Sequence, residues 1–250
     1  MTKIKLNSTA TTAPKKFNKE HTKKEFQKLK FKIEELQNLM YAENKHALLI
    51  VLQGMDGSGK DGAIKNVLDA VNPMGCRVIP FKKPTETEMK HDFLWRIHQH
   101  APELGMIVVF NRSHYEDVLI QRVHGWVSDE VIKQRYQHIN NFEKLLSDSG
   151  VTVLKFYLHV SKEEQLLRLQ ERMSDKTKMW KYNENDIKER QYWNDYMKAY
   201  QDAFENCSVN ATWNIIPADQ NWYKEYLIAK KIVETLEGFK MKFPGLKATQ

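Results

Sequence analysis

A short apolar run followed at once by a glycine-rich loop is the feature that most constrains this chain. The six apolar residues of 47–52 predict a buried strand. The loop Gly54-Met-Asp-Gly-Ser-Gly-Lys60 follows, and apolar residues then recur at helical spacing over 63–71. A strand, Gly-x4-Gly-Lys and a helix form the context of a Walker A phosphate-binding loop. This context favours a phosphate site over an accidental glycine-rich turn.

The residue types of the loop suit phosphate binding. Glycines let successive backbone N–H groups turn inward without a Cβ clash. These groups and the positive end of the following helix can hold phosphate oxygens, while a lysine adds a point charge. We therefore predict phosphate contacts from Gly57, Ser58, Gly59, Lys60 and Asp61.

Two acidic residues depart from the common loop pattern. Asp61 stands where a serine or threonine usually binds magnesium, and Asp56 lies inside the loop. A carboxylate beside phosphate predicts an intervening cation, so we assign Asp56 to the magnesium side of the site. The alternative is a turn residue that bonds its own backbone.

Composition and charge restrict the class of protein. The 250 residues carry a net charge of +7, which is compatible with nucleic acid, a membrane surface or polyphosphate as partner. The cysteines, Cys76 and Cys207, have no metal or redox spacing, which indicates a reducing compartment. The polar N-terminus lacks a signal core, and no apolar run approaches the roughly 18 residues that span a bilayer. We expect a soluble cytoplasmic protein.

Strand-like runs alternate with helical patterns along the whole chain. This order predicts one α/β domain over 19–250, a three-layer αβα sandwich with a five-stranded parallel sheet, preceded by a flexible or surface-draped arm at 1–18. The predicted strands are 47–52, 76–81, 105–110, 152–160 and 213–217. The predicted helices include 19–43, 63–71, 87–100, 128–146, 185–206 and 221–236.

Charged residues follow two of the predicted strands. Lys82 and Lys83 come after the second, at the sheet edge where α/β proteins bind ligands, although they are equally consistent with solvated lysines. Arg112 follows the third and has a planar fork suited to phosphate, the alternative being an Arg–Glu surface pair that contributes little. Asn111 ends that strand where many phosphate-loop kinases have an acid. Glu116 and Asp117 are therefore the candidate magnesium acids.

A basic segment lies between two later helices. It carries Arg168, Arg172, Lys176, Lys178, Lys181, Lys188 and Arg190, with Trp180 and Tyr182 among them. A helix, a mobile basic loop and a second helix predict a lid over transferring phosphates, about 172–190. An exposed basic hairpin is the alternative. We favour the lid because the phosphate loop provides a site for it to cover.

The chain resembles the family-2 polyphosphate kinases over roughly residues 20 to 240. The resemblance rests on Gly54-Met-Asp-Gly-Ser-Gly-Lys-Asp-Gly62, Phe81-Lys-Lys-Pro-Thr85, Asn111-Arg-Ser-His-Tyr-Glu-Asp-Val118, Arg172, Trp180-Lys181, Asp186, Arg190, Trp193 and Ile216-Pro-Ala-Asp219. Asp61 and Asn111 depart from other phosphate-loop proteins, but this family has the same residues there.

The resemblance implies a fold similar to thymidylate kinase and phosphoryl transfer between inorganic polyphosphate and adenine, and also guanine, nucleotides. It implies Mg²⁺ held by Asp56 and Asp117, with Lys60 and Arg112 gripping phosphate. We take Asp56, Lys60, Arg112 and Asp117 as catalytic. The lid cations Arg172, Lys181 and Arg190 complete the predicted phosphate ligands with Lys82 and Lys83.

The stretch 111–124 and the end of the loop, 60–62, resemble the branch that accepts both AMP and ADP. We expect a homo-oligomer, a dimer or tetramer, with no membrane or nucleic-acid partner. One alternative is an ATP-dependent nucleoside monophosphate or small-molecule kinase, which predicts no activity with polyphosphate. The other is a non-catalytic anion-binding module, which the lack of a recognised nucleic-acid motif disfavours.

Overall fold

The computed structural model describes residues 4–245 and contains the predicted five-stranded sheet. All neighbouring strands are parallel, in the order β2-β3-β1-β4-β5. The prediction of a parallel α/β sheet is confirmed. The strands are β1 (Ala47–Gln53), β2 (Cys76–Pro80), β3 (Ile107–Asn111), β4 (Val151–His159) and β5 (Trp213–Pro217).

Nine α-helices lie among the described residues. They are α1 (Lys19–Glu43), α2 (Lys60–Val67), α3 (Trp95–His98), α4 (Ile120–Val123), α5 (Asp129–Asp148), α6 (Lys162–Ser174), α7 (Glu184–Lys188), α8 (Trp193–Asn206) and α9 (Asn221–Gly238). Over the same residues, we find no helix with both the length and the apolar character needed to cross a bilayer.

The helices cover both faces of the sheet. Ile50 of β1 packs against α2 and against Ile228 of α9. Tyr157 of β4, which is in register with Gln53, contacts the ring of Tyr200 of α8 at 4.4 Å between centroids. Because successive residues of a strand point to opposite faces, Gln53 and Tyr157 face away from Ile50. The predicted three-layer αβα arrangement follows.

Two predicted helices are interrupted in the structure. The segment predicted as one helix over 87–100 contains a 3₁₀ turn, Glu88–Lys90, and the short α3. Between them the Asp92 carboxylate accepts the N–H of Leu94 at 2.9 Å, so the chain turns instead of continuing the first helix.

The helix predicted over 185–206 is also divided. A 3₁₀ turn, Glu189–Tyr192, separates α7 from α8. At this turn the Glu189 carboxylate contacts His124 at 3.0 Å and Tyr196 at 2.8 Å. The helix after the phosphate loop, predicted over 63–71, begins earlier at Lys60 and ends at Val67.

The described part of the N-terminal arm, residues 4–18, lies along the domain. Leu6 is buried, and the Thr11 carbonyl accepts the N–H of Asp219 at 3.0 Å. Residues 1–3 lie outside the described residues. The flexibility of the arm stays a prediction.

The carboxyl ends of the five strands meet at one edge of the sheet, as in other parallel sheets. The phosphate loop follows β1, the Lys82-Lys83 pair follows β2, and the segment from Arg112 to Asp117 follows β3. The start of α9 follows β5. The fold therefore gathers the predicted phosphate and metal residues at this edge.

Candidate active site

The glycine-rich loop joins β1 to α2 through positive φ angles. Gly54 has φ 155° and Gly59 has φ 88°. A Cβ on Gly54 would lie 2.9 Å from the Leu158 carbonyl oxygen, and one on Gly59 would collide with the Lys224 ammonium. Glycine is therefore required at both positions. The first-turn N–H groups of α2 lack intrahelical partners and are available to an anion.

Lys60 is held at the loop by backbone oxygens. Its side chain is buried, and Nζ donates to the carbonyls of Gly54 at 2.6 Å and Met55 at 3.2 Å. Burial and the nearby Arg112 guanidinium lower the pKa of Lys60, while Asp56 acts in the opposite direction. A phosphate at the loop would give this cation a negatively charged partner.

A cavity of about 670 Å³ lies over the loop, and we call it the loop cavity. Nine Lys or Arg and four Asp or Glu side chains line it, so it suits a polyanion. The predicted residues that it brings together are Asp56, Gly57, Gly59, Lys60, Asp61, Lys82, Lys83, Arg112, Arg172 and Lys181.

Two predicted phosphate ligands do not line the loop cavity. The Ser58 side chain is fully buried, and its backbone N–H donates to the Met55 carbonyl at 3.0 Å. The Arg190 guanidinium donates to the Lys162 carbonyl at 2.9 Å and to Gln165 at 2.7 Å. The Ser58 hydroxyl has no hydrogen-bond partner among the described residues. The phosphate contacts of Ser58 and Arg190 stay predictions.

Asp56 and Arg112 form an ion pair in the loop cavity. Arg112 has φ 63°, a left-handed conformation that costs free energy in a non-glycine residue. Burial alone would raise the pKa of Asp56, but Arg112 and Lys60 hold it below its usual value. Asp56 is therefore an ionised carboxylate beside the predicted phosphate position.

A buried polar network holds the segment that carries Arg112. Tyr115 donates to the Glu143 carboxylate at 2.7 Å, and Lys155 contacts Glu143 at 2.7 Å and the Tyr115 hydroxyl at 2.9 Å. All three side chains are excluded from solvent. Gln53 at the end of β1 also donates to the Ser113 hydroxyl at 3.1 Å. These contacts hold the segment that carries Arg112 in place next to the phosphate loop.

A second cavity of about 740 Å³ adjoins the first. The residues common to both linings are Phe81, Lys82, Lys83 and Arg112. Apolar side chains line much of the second cavity: Met89, Phe93, Ile120 and Trp126. A polyanion in the loop cavity and a partly apolar molecule in the second would thus meet beside Arg112.

Asp117 lies in this second cavity and is buried. Its carboxylate accepts a hydrogen bond from Gln121 and lies 3.9 Å from the Arg135 guanidinium. Burial raises the pKa of Asp117 to about 6, although Arg135 and Arg96 act in the opposite direction. A cation near this carboxylate would favour its ionised form.

The predicted magnesium acids are divided between the two cavities. Asp56 lines the loop cavity, whereas Glu116 and Asp117 line the second one. Residues 4–245 contain no group of three or more His, Cys, Asp or Glu side chains arranged for a metal. Mg²⁺ commonly uses only one or two carboxylates and completes its shell with phosphates and water. These oxygen ligands fit such a site, and the joint role of Asp56 and Asp117 stays a prediction.

The predicted lid contacts the phosphate loop through Asp61. The Asp61 carboxylate accepts hydrogen bonds from Lys181 at 2.7 Å and Asn111 at 2.9 Å. Within the predicted lid, Arg172 pairs with Asp186 at 2.8 Å. An ionised carboxylate cannot donate to phosphate, so the predicted phosphate contact of Asp61 is restricted to its backbone N–H.

Three side chains beside the loop are absent from the predicted site residues. Arg168 donates to the carbonyls of Gly57 and Ser58, both at 3.1 Å. Lys224 and Asn221, in the first turn of α9, line the loop cavity. A lysine in the first turn after a strand is the one signal that could have identified the α9 pair, because that turn lies at the ligand edge of the sheet.

Comparison with known proteins identifies chains that are similar to this one. The family model described as Polyphosphate kinase 2 matches residues 16–244. The chain is 50% identical over 214 residues to an AMP/ADP-polyphosphate phosphotransferase from Meiothermus ruber, covering 85% of this chain and 80% of that protein. It is 43% identical over 226 residues to an ADP-polyphosphate phosphotransferase from Rhodopseudomonas palustris, covering 85% and 78%.

A solved structure is similar over the whole chain. The crystal structure of Polyphosphate Kinase 2 from Arthrobacter aurescens TC1 superimposes with a TM-score of 0.96 at 37% sequence identity. The match covers 100% of this chain and 91% of that one. The similarity therefore includes the segments that form the phosphate loop, the predicted lid and both cavities.

Proposed function

We propose a function from one premise, that the chain belongs to the polyphosphate kinase 2 family. The protein is an enzyme that transfers phosphoryl groups between inorganic polyphosphate and nucleotides. In the direction of nucleotide synthesis it forms ADP from AMP and ATP from ADP. The acceptance of both nucleotides is supported by the 50% identity to the Meiothermus ruber protein.

The observation that carries this proposal is the pair of adjoining cavities. The loop cavity is strongly basic and suits a chain of phosphates, whereas the second cavity offers Trp126 and other apolar side chains to a nucleoside. Their common boundary consists of Phe81, Lys82, Lys83 and Arg112. A donor phosphate and an acceptor phosphate would be adjacent at this boundary.

The reaction needs positioning and charge stabilisation more than covalent chemistry. A terminal phosphate oxygen of the nucleotide attacks the terminal phosphorus of polyphosphate. A new P–O bond forms, the P–O bond to the next phosphate breaks, and polyphosphate leaves one unit shorter. Lys60 and Arg112 stabilise the negative charge on the transferring group, with Arg172 and Lys181 contributed by the lid.

We propose Mg²⁺ as the cofactor, held by Asp56 and Asp117 with Glu116 as a further candidate. When bound, the ion would neutralise charge on the phosphate oxygens. The proposal is supported by the oxygen chemistry of the three carboxylates and by the predominance of cations elsewhere in the loop cavity.

A polymer donor explains how one site could accept both AMP and ADP. If the nucleoside is fixed in the second cavity, the reacting end of ADP lies one phosphate further along than that of AMP. Polyphosphate can slide by one unit to compensate, because each of its phosphates resembles the next. The flexible side chains of Lys82 and Lys83 at the boundary are exposed and can follow this shift.

One assay tests the proposal directly. The purified protein is incubated with Mg²⁺, long-chain polyphosphate and AMP, and the nucleotides are separated by chromatography over time. ADP should appear first and ATP later. ADP without ATP at excess polyphosphate would restrict the enzyme to one step, and reaction with ADP but not AMP would reject the branch assignment. Turnover with ATP but not with polyphosphate would indicate the alternative kinase.

We also propose a cytoplasmic enzyme that forms a homo-oligomer. The cytoplasmic assignment is supported by Cys76 and Cys207, which are both unpaired thiols. Light scattering on the purified protein measures the oligomeric state, and a monomer at assay concentration would contradict the second proposal.

A further inference from the structure

Lys224 is a buried cation beside the phosphate loop. Its side chain is 1% exposed, yet it lines the loop cavity. Nζ donates to the Gly59 carbonyl at 3.2 Å and to the Asn221 side chain at 2.8 Å. An ammonium group has three N–H donors, so one remains for a further acceptor.

The charges around Lys224 leave it without a close acidic partner. Among residues 4–245 it forms no ion pair. Burial lowers the pKa of Lys224 to about 8; the cations Arg168 and Lys60 act in the same direction, and Glu225 and Glu164 in the opposite one. A buried cation with only neutral partners is unfavourable, and an anion in the cavity would relieve this cost.

Arg168, the neighbouring cation, cannot play the same part. Its five N–H donors are all used, on the Glu164 carboxylate and on four backbone carbonyls of the phosphate loop and the segment after β5. Arg168 therefore positions the loop, whereas Lys224 retains a donor for a ligand.

Asn221 connects the loop cavity to a third cavity. This cavity, about 710 Å³, lies between α1 and α9, and we call it the α1 groove. Its charged lining consists of four lysines, Lys19, Lys23, Lys24 and Lys30, and three acids, Glu20, Asp69 and Glu225, and Asn221 also lines it. Lys23 and Lys30 are ion-paired, with Glu20 at 3.2 Å and Asp69 at 2.7 Å. Within the described chain, Lys19 and Lys24 form no ion pair, so their charges are available to a polyanion.

We infer that Lys224 and Asn221 form a subsite for phosphates of polyphosphate that do not react, and that the α1 groove binds the chain beyond this subsite. The inference rests on the proposed function and assigns a path to its donor. A long donor would run from Arg112 across the loop to Lys224 and past Asn221 to Lys19 and Lys24. On this path, tripolyphosphate bound at Arg112 would end before the α1 groove, whereas a long chain would enter it.

The test compares long-chain polyphosphate with tripolyphosphate as donors to ADP. The variant Lys19→Gln/Lys24→Gln should raise the KM for the long donor by about two- to thirtyfold, from the range measured for exposed charge pairs. The KM for tripolyphosphate and for ADP should not change. The matched control is Lys133→Gln/Lys198→Gln, which removes two exposed charges from α5 and α8 on the other face of the sheet.

Lys224→Met tests the subsite, because methionine keeps the length and removes the charge. Its KM for long polyphosphate should rise about ten- to a hundredfold, as expected for loss of a hydrogen bond to a charged group, while the KM for ADP stays constant. Circular dichroism confirms folding, and the exposed Lys19/Lys24 variant keeps the test decisive if Lys224→Met unfolds.

The outcomes distinguish the inference from the proposed function. Wild-type protein without turnover on any polyphosphate would overturn the proposed function. Wild-type turnover with an unchanged KM for the long donor in Lys19→Gln/Lys24→Gln would overturn the groove. A Lys224→Met variant whose KM rises for ADP instead of polyphosphate would overturn the subsite.

Discussion

The variant Asp61→Asn tests whether Asp61, the residue after Lys60, serves as a contact for the predicted lid or as a magnesium ligand. The Lys181–Asp61 ion pair is 2.7 Å long, and the two side chains are 32% and 59% exposed. An exposed pair of this kind is worth about 0.2–1 kcal/mol, so its loss should lower the population of the closed lid by about 1.4- to 5-fold. Loss of a magnesium ligand would instead cost several kcal/mol, about a thousandfold in rate or more.

The assay measures kcat/KM with polyphosphate and ADP over a range of Mg²⁺ concentrations. Asp61→Asn and Lys181→Met should each lose less than about tenfold, and the double variant should lose no more than either single one if the substitutions act only by breaking this ion pair. Lys188→Met is the control, because Lys188 is a lid cation that pairs with Glu184 outside the loop cavity. A thousandfold loss in Asp61→Asn that high Mg²⁺ restores would refute the lid role.

Four further outcomes are expected. Asp56→Asn and Asp117→Asn should each lower kcat about a thousandfold or more while the circular dichroism spectrum is kept, and near-normal turnover at ordinary Mg²⁺ would remove the residue from the metal site. The apparent affinity for polyphosphate should fall steeply as salt rises, whereas a value independent of salt would contradict a basic channel. Lys155→Met leaves a carboxylate buried without its cation, so urea denaturation should show a loss of about 3–5 kcal/mol, and a change below about 1 kcal/mol would contradict the buried network. The Lys224 ammonium binds the anion only when it is protonated, and its pKa is about 8. The affinity for polyphosphate should therefore be full below pH 8 and fall by up to about tenfold per pH unit above it. If Lys224→Met shows the same decline, another group is responsible for the pH dependence.

Much of the fold follows from local sequence patterns. The phosphate loop is predictable because a strand, a glycine pattern and a helix are contiguous in the chain. The five strands follow from apolar runs, and the parallel sheet from their alternation with helices. These features depend on neighbouring residues, so a single sequence is sufficient.

Features that depend on distant residues are harder to predict. The helix predicted over 87–100 is interrupted at Asp92, where the side chain accepts a hydrogen bond from the backbone N–H of Leu94. Helical spacing cannot show whether a carboxylate will compete in this way. Lys224 is similar, because a lysine in a helix sequence is normally solvated and its burial here is set by the loop between β1 and α2.

The site residues show the same difference between features that depend on neighbouring residues and features that depend on distant ones. Lys60, Arg112 and Arg172 line one cavity, because Lys60 and Arg112 follow parallel strands and Arg172 belongs to the predicted lid. Sequence patterns could not show that Arg190 turns toward α6 or that Asp56 and Asp117 line different cavities. These differences concern side-chain direction, which is determined by the packed structure.

Because Asp56 and Arg112 form an ion pair, a substrate phosphate that binds Arg112 must replace a carboxylate of the protein. Before substrate arrives, Asp56 serves as the internal counter-ion of Arg112. A phosphate group that binds Arg112 must compete with this carboxylate, so a single phosphate gains little from the exchange. A chain of phosphates contacts several cations of the loop cavity at once and can offset the loss of this pair through its other contacts. The built-in counter-ion would therefore select polymers over the free orthophosphate that surrounds the enzyme.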